Sequence, residues 1–147
     1  MQGLLAENVA FSQALAPASR AAANVSTGAT YLSMQDFEFV TFTLNVGAIT
    51  GTGLIDLAIV QATDAAGTAS KAITSAALVQ IADTGGSKLY GVTVRATQLD
   101  AAGGFYFVSA TLTTTTAANV SSVVALRYGA GHTPVTSGLT QDVRVVI

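Results

Sequence analysis

From about residue 36 onward, apolar and polar residues alternate with a period of two, and that pattern admits little besides antiparallel β-structure. Val40, Phe42, Leu44 and Val46 alternate with Thr41, Thr43 and Asn45 until Gly47 stops the run. Ile55, Leu57 and Ile59 alternate with Asp56 and Ala58. Tyr90, Val92, Val94 and Ala96 form a third run, and Tyr106, Val108, Ala110 and Leu112 a fourth. Val124, Leu126 and Tyr128 form a fifth, with Val143, Val145 and Ile147 after it. Each run offers one face to a core and one Thr-rich face to its surroundings, as antiparallel sheets do and parallel sheets do not. The segment 69–82 reads equally as a strand with a turn or as a short helix.

Turn chemistry separates these runs. Asp64-Ala-Ala-Gly67, Asp83-Thr-Gly-Gly86 and Asp100-Ala-Ala-Gly103 share one form. The Asp accepts hydrogen bonds from turn amides, and the Gly takes a left-handed conformation. The third of these turns predicts a hairpin of strands 89–99 and 105–114. Six or seven short strands of this kind predict an all-β antiparallel sandwich, with a jelly roll among the arrangements it admits.

Residues 1–35 differ in texture and precede a β-sandwich domain at 36–147. They are Ala-rich, without alternation, and Leu4, Phe11, Leu15 and Ala18 recur at helical spacing, although Pro17 would end or kink any helix there. They read either as a short helix docked on the domain or as an arm reaching a neighbouring subunit, with Leu4, Leu5, Phe11 and Leu15 as contacts. Ala14-Leu15-Ala16 imitates a signal-peptide cleavage site, but Glu7 and Asn8 interrupt the apolar stretch and no basic region precedes it. No run approaches the eighteen apolar residues of a membrane-spanning helix.

Charge narrows the function. Only 10% of the 147 residues are charged, against an apolar content of 50% and about 25% charged residues in an ordinary domain. A folded chain of this mass exposes roughly 7,000 Å². Its six basic and eight acidic side chains then leave one charge per about 500 Å², sparse for a domain that stays alone in water. Such a surface suits a chain packed against copies of itself or a partner. A net charge of −2, with the basic residues scattered singly, gives no footprint for nucleic acid.

No motif carries catalysis. The single histidine, His132, lies in Gly129-Ala-Gly-His-Thr-Pro134, and no Gly-x-Ser-x-Gly elbow exists for it to serve. Asp36, Glu38 and Asp56 read as solubilising charge rather than as a glycosidase pair. Asp64, Asp83 and Asp100 supply one carboxylate per turn, short of the six to eight oxygens calcium takes. Gly47-Ala-Ile-Thr-Gly-Thr-Gly53 lacks the lysine of a phosphate loop. The absence of cysteine excludes disulfides and thiolate metal sites. No catalytic residue, cofactor or metal is therefore expected. Alternation places Tyr90 and Tyr106 on the core face and turns Phe105 and Phe107 outward, as a subunit contact or a stacking platform for a sugar.

The Ala-rich leader ending near Ser33, the run Phe37-Glu-Phe-Val-Thr-Phe-Thr-Leu-Asn-Val-Gly-Ala-Ile49 and the strand Gly53-Leu-Ile-Asp-Leu-Ala-Ile-Val-Gln-Ala62 together resemble small β-sandwich structural proteins of tailed bacteriophages. The resemblance covers most of the chain after residue 30 and is one of texture, so no functional residue carries over. It implies a virion component: a capsid decoration or cement protein, commonly a homotrimer, bound to the major capsid protein at the capsid surface. A carbohydrate- or receptor-binding module of a phage tail or fibre is the alternative. Neither reading calls for nucleic acid, membrane or a small-molecule substrate.

Overall fold

The computed structural model describes residues 8–49, 51–82 and 86–131. Among the described residues nine strands form two antiparallel sheets: β1 (Val9–Arg20), β2 (Asn24–Thr27), β3 (Leu32–Ser33), β4 (Phe37–Ile49), β5 (Leu54–Ala62), β6 (Lys71–Ile81), β7 (Lys88–Arg95), β8 (Phe107–Thr115) and β9 (Asn119–Ala130). Sheet A has the order β1-β9-β4-β7 and sheet B the order β2-β8-β5-β6, with β3 also on β8. Taken as one interrupted strand, β2 and β3 complete a set of eight. Apart from the hairpin β5–β6, which stays within sheet B, successive strands then alternate between sheets in the two interlocked Greek keys of a jelly roll. The expected all-β sandwich is the observed fold.

The core is the space between the sheets. Val40, Phe42, Leu44 and Val46 of β4 face Ile55, Leu57 and Ile59 of β5 and Val108, Ala110 and Leu112 of β8, all without solvent exposure. The alternation that places these core residues was legible, because each strand has one largely polar face. Strand β4 does not stop at Gly47. It runs on to Ile49 through a register shift against β9 between Val46 and Ile49, and a Cβ on Gly47 would lie 3.0 Å from the Val120 carbonyl oxygen. The glycine marks a bulge where backbones approach closely. The ambiguous stretch at 69–82 contains β6.

Three further expectations are corrected. The leader is not helical from residue 9 onward: β1 pairs with β9 in this chain's own sheet, and β2 and β3 pair with β8. Register shifts at Gln13/Leu15 and Leu15/Ala18 change the phase of β1, so apolar residues three and four apart serve a strand. Pro17 is tolerated because β1 is an edge strand. The boundary at residue 35 thus falls between β3 and β4 of one sandwich.

Residues 89–99 and 105–114 do not form a hairpin. Strand β7 pairs with β4 in sheet A, and β8 pairs with β5 in sheet B, so the Asp100 turn carries the chain from one sheet to the other. Two 3₁₀ turns, Ala96–Gln98 and Ala101–Gly103, fill that crossing. Asp100 accepts from the Gly103 amide as expected, but Gly104, at φ 81°, takes the left-handed position. At Asp64 the expectation holds: its carboxylate accepts from the amides of Ala66 and Thr68, and Gly67 has φ 90°.

The third correction follows from the second. Because β8 begins only at Phe107, alternation does not reach back to 105 and 106. Phe105 is 8% exposed, whereas Tyr106 is 37% exposed and donates its hydroxyl to the Ala101 carbonyl.

Candidate functional site: the outer face of sheet A

Strand β9 is where alternation misleads. Its larger side chains, Val124, Leu126 and Tyr128, were expected inside, but Val123 and Ala125 face the core without exposure and the larger three face outward, half-buried. The register explains the choice. Val123 lies beside Leu44, and Ala125 beside Phe42. A small residue opposite Phe42 leaves room for the ring between the sheets, where a leucine would overfill it.

Arg127, on the inward side of this alternation, is accommodated at the sandwich end. Its guanidinium lies 4.7 Å from the Phe37 ring centroid and donates to the Ser33 carbonyl at 2.8 Å. Burial lowers its pKa without threatening its charge.

The outward residues form rows across the sheet. One is Val9–Tyr128–Phe39–Arg95 and the next is Phe11–Leu126–Thr41–Thr93, followed by Gln13–Val124–Thr43–Gly91. The Phe39 and Tyr128 rings stack at 5.2 Å, and the Arg95 guanidinium lies 5.5 Å from the Phe39 centroid. The Thr41 hydroxyl bonds those of Thr93 (2.8 Å) and Tyr128 (3.3 Å). The result is an ordered, largely apolar surface with charge only at its Arg95 margin. Rigid aromatic and aliphatic side chains with few charges are the composition of an interface centre.

The expected contact residues are dispersed. Phe11 is half-buried on this face, opposite Leu126. Leu15 is 8% exposed and belongs to the core. Phe105 is covered by the Lys71 ammonium, 3.9 Å from its ring centroid, and that ammonium pairs with Asp100 at 2.6 Å. Phe107 is half-buried in sheet B, beside Ser33 and Ala62. The structure therefore does not bring Phe105 and Phe107 together as an outward pair. Leu4, Leu5, Asp83 and His132 lie outside the described residues.

Reading the sequence missed Phe39, Leu126, Tyr128 and Val9. The available signal was that β1 and β9 are apolar on both faces, as the run Val123-Val-Ala-Leu126 shows.

Little else gathers chemistry. Glu38 and Asp56 lie in different sheets, and Asp56 accepts from the Gln80 amide. A cleft of about 370 Å³ lined by Met34, Gln35, Ala96, Leu99, Ala101 and Tyr106 contains no ionisable group apart from the tyrosine. Among the described residues, no three His, Asp or Glu side chains are placed to share a metal ion.

No protein-family model and no curated protein matches the chain. Solved structures do. The PBSX exported protein XepA superposes with a TM-score of 0.56 at 11% identity, over 93% of this chain and 43% of that one. The VP2 subviral particle of infectious bursal disease virus gives 0.53 at 12% identity, over 87% and 34%. A structure of Bacillus endospore appendages, disulfide-linked pili, gives 0.48 at 21% identity, over 83% and 88%. This chain spans under half the length of XepA and about a third of the viral chain. At such identities the likeness is one of fold: the chain is similar to an exported protein and to a viral capsid protein in the sandwich they share.

Proposed function

We propose that this chain is a non-enzymatic structural protein of a virion that self-associates and decorates or cements a bacteriophage capsid. The observation that carries this reading is the outer face of sheet A, where Val9, Phe11, Phe39, Val124, Leu126 and Tyr128 form an ordered apolar surface. A shell component needs a rigid domain and a surface that gains by being covered, and no active site. The sparse charge of the whole chain and a sandwich similar to that of a capsid protein support the same reading. The partners are then further copies of the chain, as a trimer in the phage resemblance, and the major capsid protein at the capsid surface.

A second reading takes the stacked Phe39–Tyr128 pair as a platform for a sugar ring, which would make the chain a carbohydrate- or receptor-binding module. The test adds the purified chain to empty cognate phage heads lacking it, with a glycan array run in parallel. Saturable binding that raises the melting temperature of the heads is expected. No binding to heads, with selective capture by a glycan, would replace the first reading by the second.

A further inference from the structure

The three rows on the outer face of sheet A differ in height. The row Val9–Tyr128–Phe39–Arg95 is tall, and the row Gln13–Val124–Thr43–Gly91 is low, with Leu126, Thr41 and Thr93 in the row between them. Strand by strand the tall and low rows are matched. Tyr128 is answered by Val124 on β9, Phe39 by Thr43 on β4 and Arg95 by Gly91 on β7. Only the margin at β1 reverses the order, with Val9 and Gln13. The ridge is held in place by the Phe39–Tyr128 stack and by Arg95 over Phe39. Alternate residues of a strand are about 6.7 Å apart, so ridge and hollow lie about 13 Å from one another.

Such a face fits a second copy of itself. Two identical faces meet about a two-fold axis lying in the plane of contact. An axis along the strands lays ridge on ridge and leaves both hollows unfilled. An axis across the strands, through Leu126, Thr41 and Thr93, lays each ridge in the other copy's hollow. Arg95 then covers Gly91 of the second copy, Phe39 covers Thr43 and Tyr128 covers Val124, while Leu126 meets Leu126.

Charge and area agree with this occupant. Arg95 is the one charged residue of the three rows, so the partner must bring little charge to them, as this face itself does. With the sheets about 10 Å apart, the two Arg95 positions lie about 17 Å from each other, beyond the screening length of about 10 Å at 0.1 M salt. Four strands and three rows project roughly 400 Å² per copy. With side-chain relief the pair covers on the order of 1,000 Å², the size of a small, reversible interface.

We infer that two copies pack the outer faces of sheet A about a two-fold axis through the Leu126–Thr41–Thr93 row, ridge into hollow. This deepens the assembly reading above and rests on it.

Single thiols report the register, because the chain has no cysteine and a Cβ at Gly91 meets nothing closer than 3.9 Å. Full-length Thr93→Cys, Gly91→Cys and Arg95→Cys chains are treated with a bis-maleimide that bridges backbones about 10 Å apart but not about 17 Å. Thr93→Cys alone should give a linked dimer of twice the 14.8 kDa chain, since Thr93 faces its own counterpart near the axis. Gly91→Cys and Arg95→Cys should link when mixed, at a yield at least about tenfold above either alone. Sedimentation gives an independent reading. Gly91→Arg fills the hollow and should raise the dissociation constant at least about tenfold. Adding Arg95→Gly to that chain should restore it, because ridge and hollow then exchange places on β7. An assembled chain whose Thr93→Cys variant stays unlinked, as in a cyclic trimer, or whose double variant is not rescued, overturns the two-fold register and leaves assembly standing. A monomeric wild-type chain refutes the assembly reading and the register with it.

Discussion

The Phe39 and Tyr128 rings stack with their planes inclined by 15°, on residues that are direct partners across β4 and β9. They stand outside the sandwich, while Phe42, three residues along β4, is sealed inside it. The pair exists because β9 turns its small residues inward.

That inversion makes a direct prediction. Ala125→Leu should destabilise the fold by about 1–3 kcal/mol, because the added carbons meet Phe42 in a filled core. Leu126→Ala, one residue away and a truncation by the same number of carbons, should cost the isolated domain under about 1 kcal/mol, since its side chain is only half-buried. Chemical denaturation of both variants checks the order. Were Leu126 inside, as its alternation suggests, its truncation would cost about 2–5 kcal/mol.

Arg127 serves packing as much as charge. Its stem and guanidinium cover Phe37, and it holds the Ser33 carbonyl. Arg127→Ala should lower stability by about 1–2 kcal/mol through the lost cover and the unpaired carbonyl. Arg127→Met should recover more than half of that loss, as it keeps the stem and removes the cost of burying a cation. Thermal melts of the three proteins give the comparison.

Two carboxylates contribute to the acid limb of stability. The Thr68 hydroxyl and amide hold the Asp64 pKa below the ordinary aspartate value, and the Lys71 ammonium with the Gly103 amide does the same for Asp100. A folded-state pKa below the unfolded value means the stabilisation is present above about pH 4 and is lost as pH falls through the folded pKa. Unfolding free energy measured from pH 5 to pH 2 should therefore decline. The decline should be shallower in Asp64→Asn and Asp100→Asn, with little added effect of Asp100→Asn in a Lys71→Met background.

The central strands were legible because β4, β5 and β8 each have one apolar face, so period two alone assigns their core residues. The leader was not, since its bulges put Phe11 and Leu15 at helical spacing in a strand. The Asp100 turn was read correctly as a turn and wrongly as a hairpin: a turn fixes a change of direction, whereas the sheet that receives the next strand is decided by long-range pairing. For the site, of the expected contact residues that are described, only Phe11 lies on the outer face of sheet A. Phe39 and Tyr128 were invisible as a pair, because a partner 89 positions away in sequence is set by register and not by pattern.

The most direct measurement is the solution mass of the full chain by light scattering, beside that of Leu126→Asp. The wild-type chain should be a compact oligomer at micromolar concentration. The variant should retain the far-ultraviolet signal of the folded sandwich and fall toward the 14.8 kDa monomer, because a carboxylate at the centre of the apolar rows has no partner when they are covered. A wild-type monomer, or a variant that keeps the oligomer unchanged, would contradict assembly through the outer face of sheet A.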